Sequence, residues 1–161
     1  MKLLAAVLLQ SSAFLLGSWI SADSHAQETP AAASIVLQTP AKAPLHVTKL
    51  VITDVEIGKG DEVQNNMTVE VHYTGWLYNP KVPNLRGAQF DSSRVSGTPL
   101  SFQVGARQVI RGWDQGLIGM RVGGKRILQI PSYLGYGVNG SDNIPPNTHL
   151  VFEVELVSIK K

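Results

Sequence analysis

The chain has 161 residues, 43% of them hydrophobic and 16% charged, enough for one globular domain of ordinary size with a segment to spare. A formal charge of +2 with four scattered histidines provides neither a basic stripe for nucleic acid nor a metal cluster. The absence of cysteine excludes disulfides, thiol nucleophiles and thiolate metal sites at once.

The first 26 residues, "MKLLAAVLLQSSAFLLGSWISADSHA", run from Lys2 through a mostly apolar stretch to Ile20 and then to a polar end. This is the layout of a secretory signal, and Ser24 and Ala26 supply the small residues of a cleavage site after Ala26. Gln10, Ser11 and Ser12 break the apolar run, leaving it too short to span a bilayer, so no lasting membrane insertion is expected after cleavage. Removal of Lys2 and Asp23 together leaves the net charge unchanged. The expected destination is outside the cytoplasm, the bacterial periplasm first and a secretory lumen or the extracellular space second. Residues 27–45, rich in alanine with prolines at 30, 40 and 44, read as a linker, because proline opposes the long amphipathic helix that a dimerising arm would need.

From His46 to Lys161 the apolar pattern alternates, as in strands with one buried face. "HVTKLVITDVEIG" gives one strand, and "MTVEVHYTG" a second with Val69, Val71 and Tyr73 inward and His72 outward. "PLSFQVG" repeats the alternation with Leu100, Phe102 and Val104; "KRILQI" follows; "LVFEVELVSI" places Leu150, Phe152, Val154 and Leu156 opposite Glu153 and Glu155. Turn-rich segments separate them, including "YNPKVPNLRGAQ" and "GVNGSDNIPPN". Only Arg107 to Ile118 has helical spacing, through Val109, Trp113 and Leu117, although Gly112 and Gly116 interrupt it. An α+β fold is expected, an antiparallel sheet with one short helix covering its apolar face.

Hydrolytic and phosphate-binding motifs are missing: there is no GxSxG, HExxH or GxxxxGK[ST]. What the chain offers is a dispersed aromatic set, Tyr73, Phe90, Phe102, Trp113, Tyr136 and Phe152. Phe90 beside Asp91 at the end of a loop, and Tyr136 in the glycine-flanked turn "LGYGVNG", are better placed for binding than for core packing.

The segments "VHYTGWL", "FDSSR", "VIRGWDQGL", "LGYG" and "IPPNTHLVFEVEL" resemble, in order and spacing, the FKBP-type peptidyl-prolyl cis-trans isomerases. The resemblance implies five or six antiparallel strands curled around one short helix, with an apolar pocket that receives proline. It implies catalytic roles for Tyr73, Asp91, Trp113, Tyr136 and Phe152, with Trp113 beneath the proline ring. It also implies substrate contacts from Phe90, Leu100, Phe102, Val109, Ile110 and Ile144, with the Ile110 N–H as donor to a carbonyl and Ile144 on an overhanging loop. The implied partners are proline-containing segments of exported proteins and macrolides of the FK506 and rapamycin type, with no nucleic acid, metal or cofactor. The chain departs from the family pattern in a longer loop over residues 76–89, in Leu100 where a phenylalanine is common, and in Gln108 where an acid is usual. These departures leave open a low-turnover chaperone or peptide-binding module on the same fold.

Overall fold

The computed structural model describes residues 46–160. The expected signal, 1–26, and linker, 27–45, lie outside the described residues. Six strands and one helix follow in the order β1 (Val51–Glu56), β2 (Thr68–Tyr78), β3 (Arg86–Ser92), β4 (Leu100–Gln103), α1 (Arg111–Gly116), β5 (Lys125–Ile130) and β6 (Leu150–Lys160). All pairings are antiparallel, in the order β1-β5-β6-β2-β3, with β4 continuing along β2 beyond the end of β3. Among the described residues no helix is long and apolar enough to cross a membrane.

The alternation in β2, β4, β5 and β6 turns one face of the sheet toward α1 and the other toward solvent. Val69 and Val71 of β2, Leu128 and Ile130 of β5, and Leu150, Phe152, Val154 and Leu156 of β6 are buried in a single core with Trp113 and Leu117. Burying such side chains contributes roughly 1.5–3 kcal/mol each, more than a six-residue helix could supply by propensity.

The structure corrects the expected helix in extent. It starts at Arg111, not Arg107, because the Asp114 carboxylate accepts the Gly105 N–H at 2.8 Å and the Arg107 N–H at 3.2 Å, folding the preceding segment into a turn. Arg107 accordingly has a φ of 60°, and Ile110 remains extended at the N-cap. At the other end Arg126, an inward residue of β5 that is 5% exposed, donates to the carbonyls of Gly116 and Ile118 at 2.7 and 3.0 Å. Its guanidinium is balanced by Asp54 of β1 through bonds of 2.6 and 3.2 Å, so a buried charge satisfies the last carbonyl of the helix and one in the turn that follows.

The two glycines of α1 have a packing reason. A methyl group at Gly112 would lie 2.5 Å from Ile130 Cγ2, and one at Gly116 would lie 2.8 Å from Leu128 Cδ2. Glycine lets the helix backbone rest directly on β5.

A second correction concerns "RGAQFDS", read from sequence as loop. It forms β3, pairing with the second half of β2. The extended loop expected over residues 76–89 reduces to a short connection containing a 3-10 turn at Pro83–Leu85. Arg86 of β3 reaches Glu153 of β6 at 2.6 Å across the outer face, and Arg94 pairs with Glu155. β3 is thereby tied to β6 over the intervening β2.

Candidate active site

Between α1 and the concave face of the sheet lies a cleft of about 160 Å³, lined by Tyr73, Phe90, Asp91, Leu100, Gln108, Val109, Ile110, Trp113, Tyr136 and Phe152. The volume suits one small ring and falls short of what encloses a drug-sized ligand. Trp113 lies at its floor, 3% exposed, with Tyr73 edge-on at a centroid distance of 4.9 Å and Phe152 edge-on at 5.2 Å. Phe90 meets Phe152 edge to face at 5.5 Å and completes the aromatic wall. Such perpendicular pairs set positive ring edges against negative faces and keep the rings from collapsing into one another.

Phe90 and Asp91 are adjacent in a strand, so regular pleating would send them to opposite faces. Both line the cleft because β3 carries a bulge: Gly75 pairs with Asp91 while Trp76 pairs with Gln89, leaving Phe90 unpaired between them. Gly75 provides the room, since a Cβ there would lie 2.7 Å from both Phe90 Cζ and Phe152 Cε1.

The end of β3 also locks Tyr73 in place. Ser93 Oγ accepts the Tyr73 N–H at 2.9 Å, and the Tyr73 carbonyl accepts from the Ser93 N–H at 3.1 Å and from Ser92 Oγ at 3.0 Å. With its backbone fixed, Tyr73 donates its hydroxyl to Asp91 Oδ2 at 2.5 Å. Burial, and then this bond, push the Tyr73 phenol above its ordinary value, so it stays protonated as a donor. Burial first and the nearby Asp91 second raise the Tyr136 phenol as well.

Ile110 occupies the N-cap of α1 and accepts at its carbonyl from the Trp113 and Asp114 N–H groups. Among the described residues its own N–H has no partner, which leaves a donor at the cleft. The Trp113 indole N–H is likewise unpaired among the described residues, although buried.

Of the expected site residues, two lie elsewhere. Phe102 is 4% exposed and packs against Trp113 at 5.6 Å, supporting the floor from behind. Ile144 does not overhang the cleft: reciprocal bonds of 2.9 Å with Ser141 close a turn that sends it into the core, 5% exposed. Gln108 is a wall residue that sequence reading noted only as a departure and did not place in the site. Its Oε1 accepts the Gln103 N–H at 2.9 Å, which anchors it beside Val109. Beyond Phe90 and Leu100 a shallower groove of about 680 Å³ extends along Ser92, Ser96 and Thr98.

Among the described residues no group of three or more histidine or acidic side chains could hold a metal. The arrangement can enclose a small apolar ring and offer hydrogen bonds at its rim.

Comparison with known proteins agrees with this architecture. Residues 59–157 match the family model of the FKBP-type peptidyl-prolyl cis-trans isomerases. A protein named FK506-binding protein from Neisseria meningitidis serogroup B is 47% identical over 111 residues, which cover 68% of this chain and 95% of the relative. The crystal structure of FkpA from Escherichia coli superposes with a TM-score of 0.61 at 44% identity, over 70% of this chain and 49% of FkpA, so the chain spans about half of that protein's length. A peptidyl-prolyl cis-trans isomerase structure from Pseudomonas syringae pv. tomato gives a TM-score of 0.58 at 37% identity, over 70% of this chain and 76% of that one. With the family model covering most of the described residues and the six-stranded sheet closing on the same short helix, the chain belongs to the FKBP-type peptidyl-prolyl cis-trans isomerases.

Proposed function

We propose that this protein accelerates rotation about X-Pro bonds in exported polypeptides, and that the aromatic cleft over Trp113 receives the proline ring. The observation that carries the reading is the cleft itself: four aromatic walls, one carboxylate and one open backbone donor in a space sized for a single ring.

An X-Pro amide rotates slowly because twisting it breaks resonance, at a barrier of about 18–20 kcal/mol, whereas its two isomers differ by only about 0.5–1 kcal/mol. No proton need leave and no bond need break. The planar amide is the more polar form, so water favours the ground state. Seating the bond against Tyr73, Phe90, Trp113 and Phe152 removes that advantage. The Ile110 N–H then holds a substrate carbonyl, and the Tyr136 hydroxyl contributes a second contact at the rim. Asp91, fixed by Tyr73, acts as an oriented charge beside the twisting carbonyl carbon and not as a base. Each 1.4 kcal/mol by which these groups favour the twisted over the planar amide gives about tenfold in rate.

Export is supported by the layout of residues 1–26, with cleavage proposed after Ala26 and a periplasmic destination. The chaperone alternative rested on the long loop and on Leu100. With half of that loop folded into β2 and β3, the connection over residues 79–85 and Leu100 are its remaining support. FK506-type macrolides are proposed as inhibitors that place one ring in the cleft and lie across the rim, because the cleft alone is too small for them.

A protease-coupled assay on a proline tetrapeptide tests the function, with catalysis expected and a macrolide expected to abolish it. Suppression of aggregation that survives the drug, without turnover, would establish the chaperone reading instead. Mass analysis of the exported protein should show an N-terminus at Gln27.

A further inference from the structure

Tyr136 reaches the cleft from a short segment outside the sheet, and something must hold that segment to the scaffold. The peg is Ser132. Its carbonyl accepts the N–H groups of Gly135 and Gly137, on either side of Tyr136, both at 2.9 Å. Its own N–H donates to His149 Nδ1 at 3.0 Å. His149 immediately precedes β6, and its carbonyl accepts the Tyr78 N–H at 2.8 Å from the end of β2. A chain of hydrogen bonds therefore runs from the two central strands through one imidazole to the turn that carries Tyr136.

We propose that His149 is a positioning residue for Tyr136: the neutral imidazole holds the Ser132 N–H, and its protonation releases the turn, so that catalysis weakens in acid. Accepting at Nδ1 requires the ring proton on Nε2, and a second proton on Nδ1 turns the acceptor into a donor facing another donor. The ring meets His46 from the segment before β1 and Tyr78 from β2, each at a centroid distance of 6.1 Å in edge-to-face geometry. Neither neighbour is an anion that would welcome the added charge. Burial first and His46 second hold the His149 pKa below its ordinary value of 6.5, so the neutral form is retained at neutral pH. The turn keeps other tethers, the Asn147 N–H on the Gly137 carbonyl at 2.8 Å, the Arg111 guanidinium on the Tyr133 carbonyl and the Tyr133 hydroxyl on the Thr48 carbonyl. Protonation therefore loosens the placement of Tyr136 without unfolding the domain.

This inference rests on the isomerase reading, and the experiment separates the two. For the purified full chain with an uncharged proline peptide, kcat/KM is expected to fall about three- to tenfold as pH is lowered from 7.5 to 5.0, the loss beginning below about 6.5. His149→Asn, whose Oδ1 replaces Nδ1 without titrating, should stay active and flat across that range. His149→Leu should be slow at every pH, and Tyr136→Phe should lose most of the acid dependence. The Ser132 amide and the Tyr136 ring resonances should follow the His149 titration in NMR spectra, a readout that needs no turnover. Identical pH profiles for the protein and His149→Asn, or a Ser132 amide that ignores the His149 titration, would overturn the proposal.

Discussion

Adding one methyl group at Gly112 sets two effects against each other. Alanine is the better helix former, and at an exposed interior position the exchange would stabilise by roughly 0.5–1 kcal/mol. Here the new Cβ meets Ile130 at 2.5 Å (Cγ2), 2.7 Å (Cδ1) and 3.0 Å (Cγ1). Ile130 is fully buried and β-branched, so it cannot swing aside, and relief requires lifting α1 from β5. Overpacking of this kind costs about 1–3 kcal/mol, which exceeds the propensity gain. Gly112→Ala is therefore expected to destabilise by about 1–2 kcal/mol in urea unfolding followed by tryptophan fluorescence. It should also lower kcat/KM several-fold, because Trp113 rides on the same turn. Ile130→Val removes the Cδ1 contact and alone costs about 0.5–1.5 kcal/mol, but combined with Gly112→Ala its cost should be at least about 0.5 kcal/mol less than additive. A Gly112→Ala protein as stable as the parent, or strict additivity in the double variant, would refute the packing account of this glycine.

Asp91→Ala is expected to reduce kcat/KM about tenfold in the protease-coupled assay while leaving the unfolding midpoint nearly unchanged; an unaltered rate would remove Asp91 from the site. Asp54→Asn withdraws the counter-charge of the buried Arg126 and should destabilise by about 2–3 kcal/mol, less than for a fully buried pair because Asp54 faces solvent, as read by thermal unfolding. Arg94 in hydrogen-bond contact holds the Glu155 pKa below the usual carboxylate range, and Lys160 does the same for Glu70. A depressed carboxylate stabilises the fold above its unfolded value of 4.5 and ceases to do so as pH falls through its folded value. The unfolding midpoint should therefore decline as pH is lowered from 5 to 3, and Glu155→Gln should flatten part of that decline.

The strands that could be read in advance are those that are hydrophobic on one face for their whole length, as in "LVFEVEL" and "KRILQI". β3 could not, because "RGAQFDS" contains one large apolar residue and owes its extended form to hydrogen bonds with β2. The bulge at Phe90 escaped for the same reason, since nothing local distinguishes it. The helix appeared too long because Val109 keeps helical spacing with Trp113, while the carboxylate that shortens the helix, Asp114, acts through two amides of the preceding turn. Family motifs brought Tyr73, Asp91, Trp113, Tyr136 and Phe152 to one list, and the fold brings them to one cleft. Spacing could not show that Phe102 stands behind the floor or that Ile144 turns inward. The role of Arg126 was hidden in a strand whose other inward residues are aliphatic, and that of Ser132 in a bond to a histidine seventeen positions away.

Gly75 stands near one end of the longest strand contact in the domain, with no side chain, between two phenylalanine rings that would otherwise be pushed apart. A main-chain position thus sets the width of the cleft. Variation cannot tune that width gradually, because the smallest available step, a methyl group, already displaces a ring. The mouth is less constrained: Leu100, exposed at the rim, can change size while the strand beneath stays as it is. The cleft divides into a rigid base and an adaptable rim, and the division follows from the geometry of a single glycine.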